Sequence, residues 1–179
     1  MKTFETKPPA FTEEQIKSIL KTHFNKDGRI KPLVSERDQN AHIFSGDGEF
    51  VLKIANSAED REFLEFQNAV LNHIAFIDPG LSIPVVLKGK DENAILKEII
   101  TIKNPQIPGQ THDVRLLSFL KGDIFSRAEK SLELYENLGR FMGRFSKAMQ
   151  GFGHPKAHQP NFLWNLDNAL FCKQYVNDI

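Results

Sequence analysis

The chain has 179 residues and a formal net charge of zero, since 23 lysine and arginine residues balance 23 aspartate and glutamate residues, and 40% of its residues are apolar. This length and composition suffice for one domain with a buried core, and the balanced charge excludes a global attraction to nucleic acid or to an anionic membrane. The single cysteine, Cys172, excludes an internal disulfide framework, and without an apolar signal core or a run of ~20 apolar residues the sequence predicts a cytoplasmic protein.

The first predicted helix follows an extended N-terminal arm at residues 1–11. Thr12 and Gln15 have the spacing of a capping box, and Phe11 and Ile16 occupy the two positions of a hydrophobic staple. Apolar residues then recur at the spacing of one helix face, at Ile16, Ile19, Leu20 and Phe24. The sequence therefore predicts a short amphipathic helix that begins after Thr12.

Strand and helix patterns continue along the rest of the chain. Strands are predicted at residues 29–34, 41–44, 49–54, 94–102 and 112–120. A helix is predicted from Ser57 to about Ile77, with Asp60 near its first amides, and a long helix from Ser126 to about Gln150. Weakly helical sequence extends through Trp164 to Tyr175. Ser126 and Glu129 again have capping-box spacing. Five strands around one helix, followed by all-helical sequence, indicate an α+β fold: a small lobe at residues 12–120, a hinge at 121–125 and the start of a helical lobe at 126–179.

Lys53 is the first candidate functional residue, because it interrupts an apolar strand. Phe50, Leu52 and Ile54 alternate there with Val51 and Lys53, so both faces of the strand are mostly apolar. A buried ammonium group needs an anion nearby, and a bound phosphate is one such anion. The alternative is a lysine on an edge strand whose side chain reaches water, which is common.

The helix after Ser57 offers two possible partners for Lys53. Gln67 lies in the middle of the apolar face of that helix, where an amide needs hydrogen-bond partners, and Glu65 lies just beside the face and is the one that can form an ion pair. Alternatively, Gln67 bonds a backbone carbonyl and Glu65 is solvated. The sequence leaves these possibilities open.

The polar run from Ser35 to Asn40, between the first two strands, is a candidate phosphate-binding turn. It contains no glycine, but Ser35, Arg37 and Asn40 supply a hydroxyl, a guanidinium and an amide that suit phosphate oxygens. A plain polar hairpin is the alternative.

These segments together resemble the aminoglycoside-phosphotransferase-like kinase superfamily, and most closely its hydroxylysine kinase branch, which includes the phosphotransferase modules fused to class III aminotransferases. The resemblance extends over about residues 12–170 and rests on five segments in order: Leu33–Asn40, Phe50–Asn56, Leu64–Ala69, Val114–Gly122 and Gly151–His158. Each segment is weak alone, but their order and spacing make the combination specific.

The resemblance implies a protein-kinase-like small lobe, with a five-stranded antiparallel sheet and a helix, followed by the first helices of an incomplete helical lobe. Its ligand would be ATP or GTP with Mg²⁺, and its reaction the transfer of the γ-phosphoryl group to a small-molecule hydroxyl. The resemblance implies that Lys53 contacts the phosphates and that Gln67 or Glu65 steers its side chain. It also implies a phosphate loop lined by Ser35, Arg37 and Asn40, and contact with the base by the backbone around Ser118 and Leu120.

The catalytic loop of such kinases has no counterpart in this sequence. Residues 158–165 have the spacing of the motif H-x-D-x-x-x-x-N, but Pro160 stands in the aspartate position and cannot accept a proton. We therefore assign no catalytic and no metal-binding residue and expect the chain alone to be inactive, as the N-terminal part of a phosphotransferase. Partners would be a nucleotide and a complementing C-terminal lobe or a second copy, packed on apolar surface of the 132–149 helix. The alternative is a non-catalytic nucleotide-binding or interaction module.

Overall fold

A six-stranded antiparallel sheet forms the centre of the protein. The structure is a computed structural model, and it describes residues 6–160, 165, 166, 169, 170 and 173. The strands of the sheet are β1 (Arg29–Leu33), β2 (Gln39–Ser45), β3 (Gly48–Ile54), β4 (Val86–Leu87), β7 (Ile100–Lys103) and β8 (Thr111–Ser118). The order across the sheet is β1-β2-β3-β8-β4, and β7 pairs with the first half of β8. Two further short strands, β5 (Gly89–Lys90) and β6 (Leu96–Lys97), pair with each other.

Three helices accompany the sheet: α1 (Glu13–Ile19), α2 (Arg61–Ile77) and α3 (Leu132–Ala148). The first continues into a π-helical turn at Leu20–Phe24, and a short 3-10 turn lies at Pro155–Ala157. The α+β fold class and the antiparallel sheet are confirmed. The sheet has one strand more than the five predicted, because a two-residue strand such as β4 is too short to leave an alternating pattern in the sequence. The single strand predicted at 94–102 is wrong, since it is divided between β6 and β7, which belong to different sheets.

The core lies between α1 and one face of the sheet. The capping box predicted for α1 is present, with the Thr12 hydroxyl 3.2 Å from the Gln15 amide nitrogen and the Thr12 amide nitrogen 2.8 Å from Gln15 Oε1. The buried side chains from the two sides are Phe11, Ile16, Ile19, Leu20 and Phe24 and, on the sheet, Ile43, Phe50, Leu52, Ile54, Val114 and Leu116. Each such burial stabilises the fold by roughly 1.5–3 kcal/mol relative to exposure.

The second helix begins at Arg61, four residues after the predicted start at Ser57. Asp60 is its N-cap, and its carboxylate accepts from the Glu62 amide at 2.9 Å. Ser57 instead lies in a turn, because the Asn56 side chain accepts a hydrogen bond from the Ala58 amide at 3.0 Å. Asparagine side chains compete with helical hydrogen bonds in this way.

The third helix also begins later than predicted, and the capping box at Ser126 and Glu129 is wrong. Ser131 is the N-cap, with its hydroxyl accepting from the Leu134 amide at 3.1 Å. Ser126 lies in a turn closed on the Ile124 carbonyl. Residues 127–130, of which Arg127, Glu129 and Lys130 are charged, offer no apolar face to bury, so the helix starts only where such a face begins. The weakly helical segment through Trp164 to Tyr175 lies mostly outside the described residues.

The helix α3 is tied to α2 and exposes much of its own apolar face. Arg144 forms two hydrogen bonds with Asp78, at 2.8 and 2.5 Å, and His73 Nε2 lies 2.9 Å from the Ala148 carbonyl oxygen. The exposed apolar side chains on the helix are Leu132, Tyr135, Leu138 and Met142. This matches the surface expected from the sequence. Over the part of the chain that is described, every helix is too short or too polar to cross a membrane.

Gly28, which precedes β1, provides a test of the sheet's construction. Its φ is +148°, and an added Cβ would overlap the Phe44 carbonyl oxygen and lie 2.8 Å from the Phe44 carbonyl carbon. We expect Gly28→Ala to lower the free energy of unfolding by about 2–4 kcal/mol, measured by urea denaturation. The matched control is Gly46→Ala, since a Cβ at Gly46 meets nothing within 4 Å. Equal losses in the two variants would contradict this account of Gly28.

Candidate functional site

Three polar side chains form a row across the face of the sheet that α1 does not cover. Asn40 pairs with Lys53 in the register of β2 and β3, and Lys53 pairs with Arg115 in the register of β3 and β8. Directly opposed residues point to the same face, with Cβ atoms about 5 Å apart. Two basic side chains therefore stand next to each other on the central strands.

Lys53 is a half-buried cation with a neutral partner. Its Nζ donates to Asn40 Oδ1 at 3.3 Å. Burial lowers the pKa of Lys53, the Arg115 charge lowers it further, and Asp38 opposes both effects. Because β3 lies between β2 and β8, the alternative of an edge-strand lysine is wrong. An anion in this region would relieve the unfavourable environment of the ammonium group.

Arg115 is more deeply placed than Lys53, with 3% of its surface exposed. One guanidinium nitrogen, Nη1, donates to Asn68 Oδ1 at 2.9 Å and to the Leu64 carbonyl at 3.4 Å, and the other, Nη2, donates to Gln67 Oε1 at 2.6 Å. Burial lowers the pKa of Arg115, while Asp38 and Glu59 raise it. These hydrogen bonds join the centre of the sheet to α2 through neutral acceptors.

The orientation of Asn68 is a consequence of this contact. Its side-chain oxygen faces Arg115, and its Nδ2 is buried without a hydrogen-bond partner among the residues described. Leaving a buried donor unpaired costs about 1–3 kcal/mol. The hydrogen bond from the guanidinium group therefore determines which way this amide points.

Gln67 and Glu65, the helix residues expected near Lys53, have other partners. Gln67 accepts its hydrogen bond from Arg115, and Glu65 pairs with Arg61 at 3.1 Å on the exposed side of α2. Arg115 lies inside the segment Val114–Gly122 and was not among the predicted site residues. The sequence signal that marks it is an arginine in the middle of an apolar strand, between Val114 and Leu116.

The loop from residue 34 to 38 is fixed to the segment before α2. Arg37 Nη2 lies 2.7 Å from Glu59 Oε2, and Asp38 Oδ1 accepts from the Asn56 amide at 3.1 Å. Ser35 lines a cleft of about 300 Å³ beside the N-terminal arm, together with Pro8 and Pro9. Of the predicted loop residues, Asn40 thus contacts Lys53, while Arg37 and Ser35 flank it on the loop.

The predicted base-contacting residues lie at the end of β8. The Ser118 amide donates to the Val85 carbonyl at 2.9 Å, and the Ser118 hydroxyl accepts from the Val85 amide at 2.8 Å. The side chain of Leu120 is exposed. Ser118 is three residues from Arg115, which corresponds to roughly 10 Å along the strand.

An aromatic and charged cluster lies beside this end of the sheet. The rings of His42 and Phe119 stack with centroids 3.7 Å apart, and His42 Nε2 lies 2.9 Å from Glu49 Oε2. Lys121 Nζ lies 2.8 Å from Glu49 Oε1, and this contact lowers the pKa of Glu49. The segment after β8 is thus attached to both β2 and β3.

His154, the residue before the 3-10 turn, has structural contacts. His154 Nδ1 accepts from the Lys156 amide at 3.2 Å, and the His154 ring packs against Phe66 with centroids 5.2 Å apart. Within the described ranges, no three histidine, cysteine, aspartate or glutamate side chains are grouped as a metal site would require.

Comparison with known families identifies the fold and its relatives. Residues 29–177 match the model of the phosphotransferase enzyme family. The chain belongs to this family. The resemblance drawn from the five sequence segments is thereby confirmed.

The relatives of this chain include vertebrate proteins of the same family. The chain is 33% identical to hydroxylysine kinase of Mus musculus over 183 aligned positions, which cover 94% of the chain and 47% of that protein. It is 27% identical to hydroxylysine kinase of Bos taurus, again covering 94% of the chain and 47% of the relative. The chain thus spans about half the length of the curated relatives it matches.

Solved structures share the fold. An amicoumacin kinase in complex with AMP-PNP and Ca²⁺ superposes with a TM-score of 0.68 at 12% identity, covering 93% of this chain and 48% of that one. A spectinomycin phosphotransferase in complex with ADP and spectinomycin gives a TM-score of 0.63 at 11% identity, covering 94% of this chain and 47% of that one. At these identities the likeness establishes the fold alone.

The environment of Lys53 predicts a pH-dependent gain in stability when its charge is removed. We expect Lys53→Met to raise the free energy of unfolding at pH 7 by about 1 kcal/mol or less, because water still reaches part of the ammonium group. The pKa of Lys53 in the fold is below its ordinary value of 10.5. The folded state therefore disfavours the charged form, and the advantage of Lys53→Met should shrink as the pH rises towards 10.5.

Urea denaturation between pH 7 and pH 10 measures this difference, with Lys88→Met at an exposed position as the matched control. A loss of stability at pH 7, or an advantage that grows with pH, would contradict the account of Lys53.

Proposed function

We propose that this chain provides the nucleotide-binding part of a phosphotransferase that uses ATP or GTP with Mg²⁺ and phosphorylates a small-molecule hydroxyl. In this proposal residues 12–120 are the nucleotide-binding lobe, 121–125 the hinge and 126–179 the start of a helical lobe. The observation that carries it is the adjacent placement of Lys53 and Arg115 on the central strands of a phosphotransferase-family fold.

The charges at this position suit a polyphosphate. Lys53 has a single hydrogen bond to a neutral amide oxygen, and Arg115 has neutral acceptors on α2. A phosphate oxygen near Lys53 Nζ would gain a charge-assisted hydrogen bond in a partly desolvated place, where such bonds are strongest. The turn residues Ser35, Arg37 and Asn40 would approach the phosphates from the side of β2.

The strand direction gives the nucleotide an orientation. The base would lie at the end of β8, near the backbone of Ser118 and Leu120, and the phosphates would extend towards Lys53. The roughly 10 Å between these two positions along the strand suits the distance from a purine to its phosphates. Gln67 would act on this site through Arg115, and Glu65, which pairs with Arg61, would stand outside it.

Binding and transfer make different demands on the protein. Transfer needs a base for the acceptor hydroxyl and carboxylates for Mg²⁺. The two carboxylates whose charge acts on the two basic side chains already have partners, Asp38 with the Asn56 amide and Glu59 with Arg37. We therefore assign binding to this chain and expect it to lack phosphoryl-transfer activity by itself. Hydroxylysine, the substrate named for its relatives, is the acceptor class proposed for the whole enzyme.

The exposed face of α3 favours an additional partner. Its apolar side chains, Leu132, Tyr135, Leu138 and Met142, would be covered by a complementing helical lobe or by a second copy of the chain. The same surface supports the second candidate function, a non-catalytic interaction module. Nucleotide binding distinguishes the two, since a module of that kind without nucleotide affinity would give a flat titration.

Calorimetric titration with ATP and with GTP, in the presence of Mg²⁺, tests the proposal. We expect saturable binding that Lys53→Met weakens by about 10–100-fold, corresponding to the loss of one or two charge-assisted contacts. Lys88→Met should bind as the unaltered protein does. Binding that is absent, or equal in the two variants, would refute the assignment of Lys53. Turnover by the purified chain that disappears in Lys53→Met would refute the expectation of inactivity.

A further inference from the structure

We propose that Arg115 is a positioning residue that holds α2 against the sheet in place of a carboxylate–lysine pair, and thereby keeps a second positive charge beside Lys53 for the phosphates. This inference rests on the proposed function and deepens it. Its basis is the fork of hydrogen bonds from Arg115 to α2, together with the register that places Arg115 opposite Lys53.

The helix α2 meets the basic pair through neutral groups. In protein kinases, the corresponding helix supplies a glutamate that pairs with the strand lysine. Here Gln67 meets Arg115, and Glu65 is turned to Arg61. The side of α2 that faces the two cations therefore contributes amide and carbonyl oxygens rather than a negative charge.

Two acids, Asp38 and Glu59, oppose the positive charge of this pair. The negative charge of Asp38 raises the pKa of both Lys53 and Arg115, and that of Glu59 raises the pKa of Arg115. Both acids have other partners: Glu59 is bonded to Arg37, and Asp38 is bonded to the Asn56 amide. Among the described residues, the negative charges that oppose the Lys53–Arg115 pair thus come from Asp38 on the loop and Glu59 before α2.

The helix α2 has further contacts, away from Arg115, that hold it in place. Lys156 Nζ lies 2.6 Å from Asp60 and 2.8 Å from Glu62, and His73 contacts the Ala148 carbonyl. The helix therefore needs no ion pair with Lys53 to stay in place. Binding of phosphates would neither form nor break a contact between Lys53 and α2, so Lys53 is available to the ligand in advance.

The substitution Gln67→Glu tests this arrangement with little change in shape. The new carboxylate would lie where Arg115 already donates its 2.6 Å hydrogen bond, so the attachment of α2 is kept while the charge is neutralised. We expect the affinity for ATP to fall about tenfold, that for AMP to fall less, and that for adenosine to stay unchanged, because the electrostatic effect grows with the ligand's charge. The slope of ATP affinity against salt concentration should also decrease.

The matched control is Gln150→Glu, the same chemical change at an exposed position just after α3. It should leave all three affinities unchanged. Equal losses for ATP, AMP and adenosine in Gln67→Glu would mean that the contact is merely structural, and an unchanged ATP affinity would mean that the charge plays no part. Either result overturns the inference.

A second variant keeps the inference testable if Gln67→Glu fails to fold. Arg115→Lys retains the charge but loses the fork, so its melting temperature should fall while the ratio of ATP to AMP affinity is preserved. If the ratio of ATP affinity to AMP affinity fell in a folded Arg115→Lys variant, the inference would be overturned. The proposed function fails separately, if the unaltered protein does not bind ATP or if Lys53→Met binds it equally well.

Discussion

The fold depends on how it accommodates two neighbouring basic side chains on its central strands. Lys53 and Arg115 are opposed in register, so they cannot be moved apart without changing the sheet. Burial makes both cations unfavourable, and Arg115 compensates by hydrogen bonding to α2. The attachment of α2 to the sheet and the direction of the Asn68 amide follow from these hydrogen bonds. Lys53 donates instead to the neutral Asn40 oxygen on β2.

The sequence predicted most of the regular structure because the relevant signals are local. The capping box at Thr12 and the strands around the Ser45–Gly48 turn depend on neighbouring residues, and they form as expected. The errors lie at helix starts, where Ser57 and Ser126 have good cap chemistry. There the outcome depends on competing contacts, such as the Asn56 side chain on the Ala58 amide, and on where an apolar face begins.

The site was predictable to a different extent. Lys53 stands out because a charge interrupts an apolar strand, and Asn40 lies opposite it in a neighbouring strand. The partner of Gln67 was not readable, because it depends on strand order. Arg115 lies on β8, which pairs with β3 although α2 and the four strands β4 to β7 lie between them in the chain, so the pairing is long-range. Register across non-consecutive strands is the information that a single sequence lacks.

The contacts between α2 and α3 have a mechanical consequence. Arg144 with Asp78, and His73 with the Ala148 carbonyl, attach α3 to the same body as the sheet, although α3 follows the segment where the sequence changes to helical character. A movement of the sheet would therefore carry α3 along with it. A partner that moved past this unit would slide along the exposed face of α3.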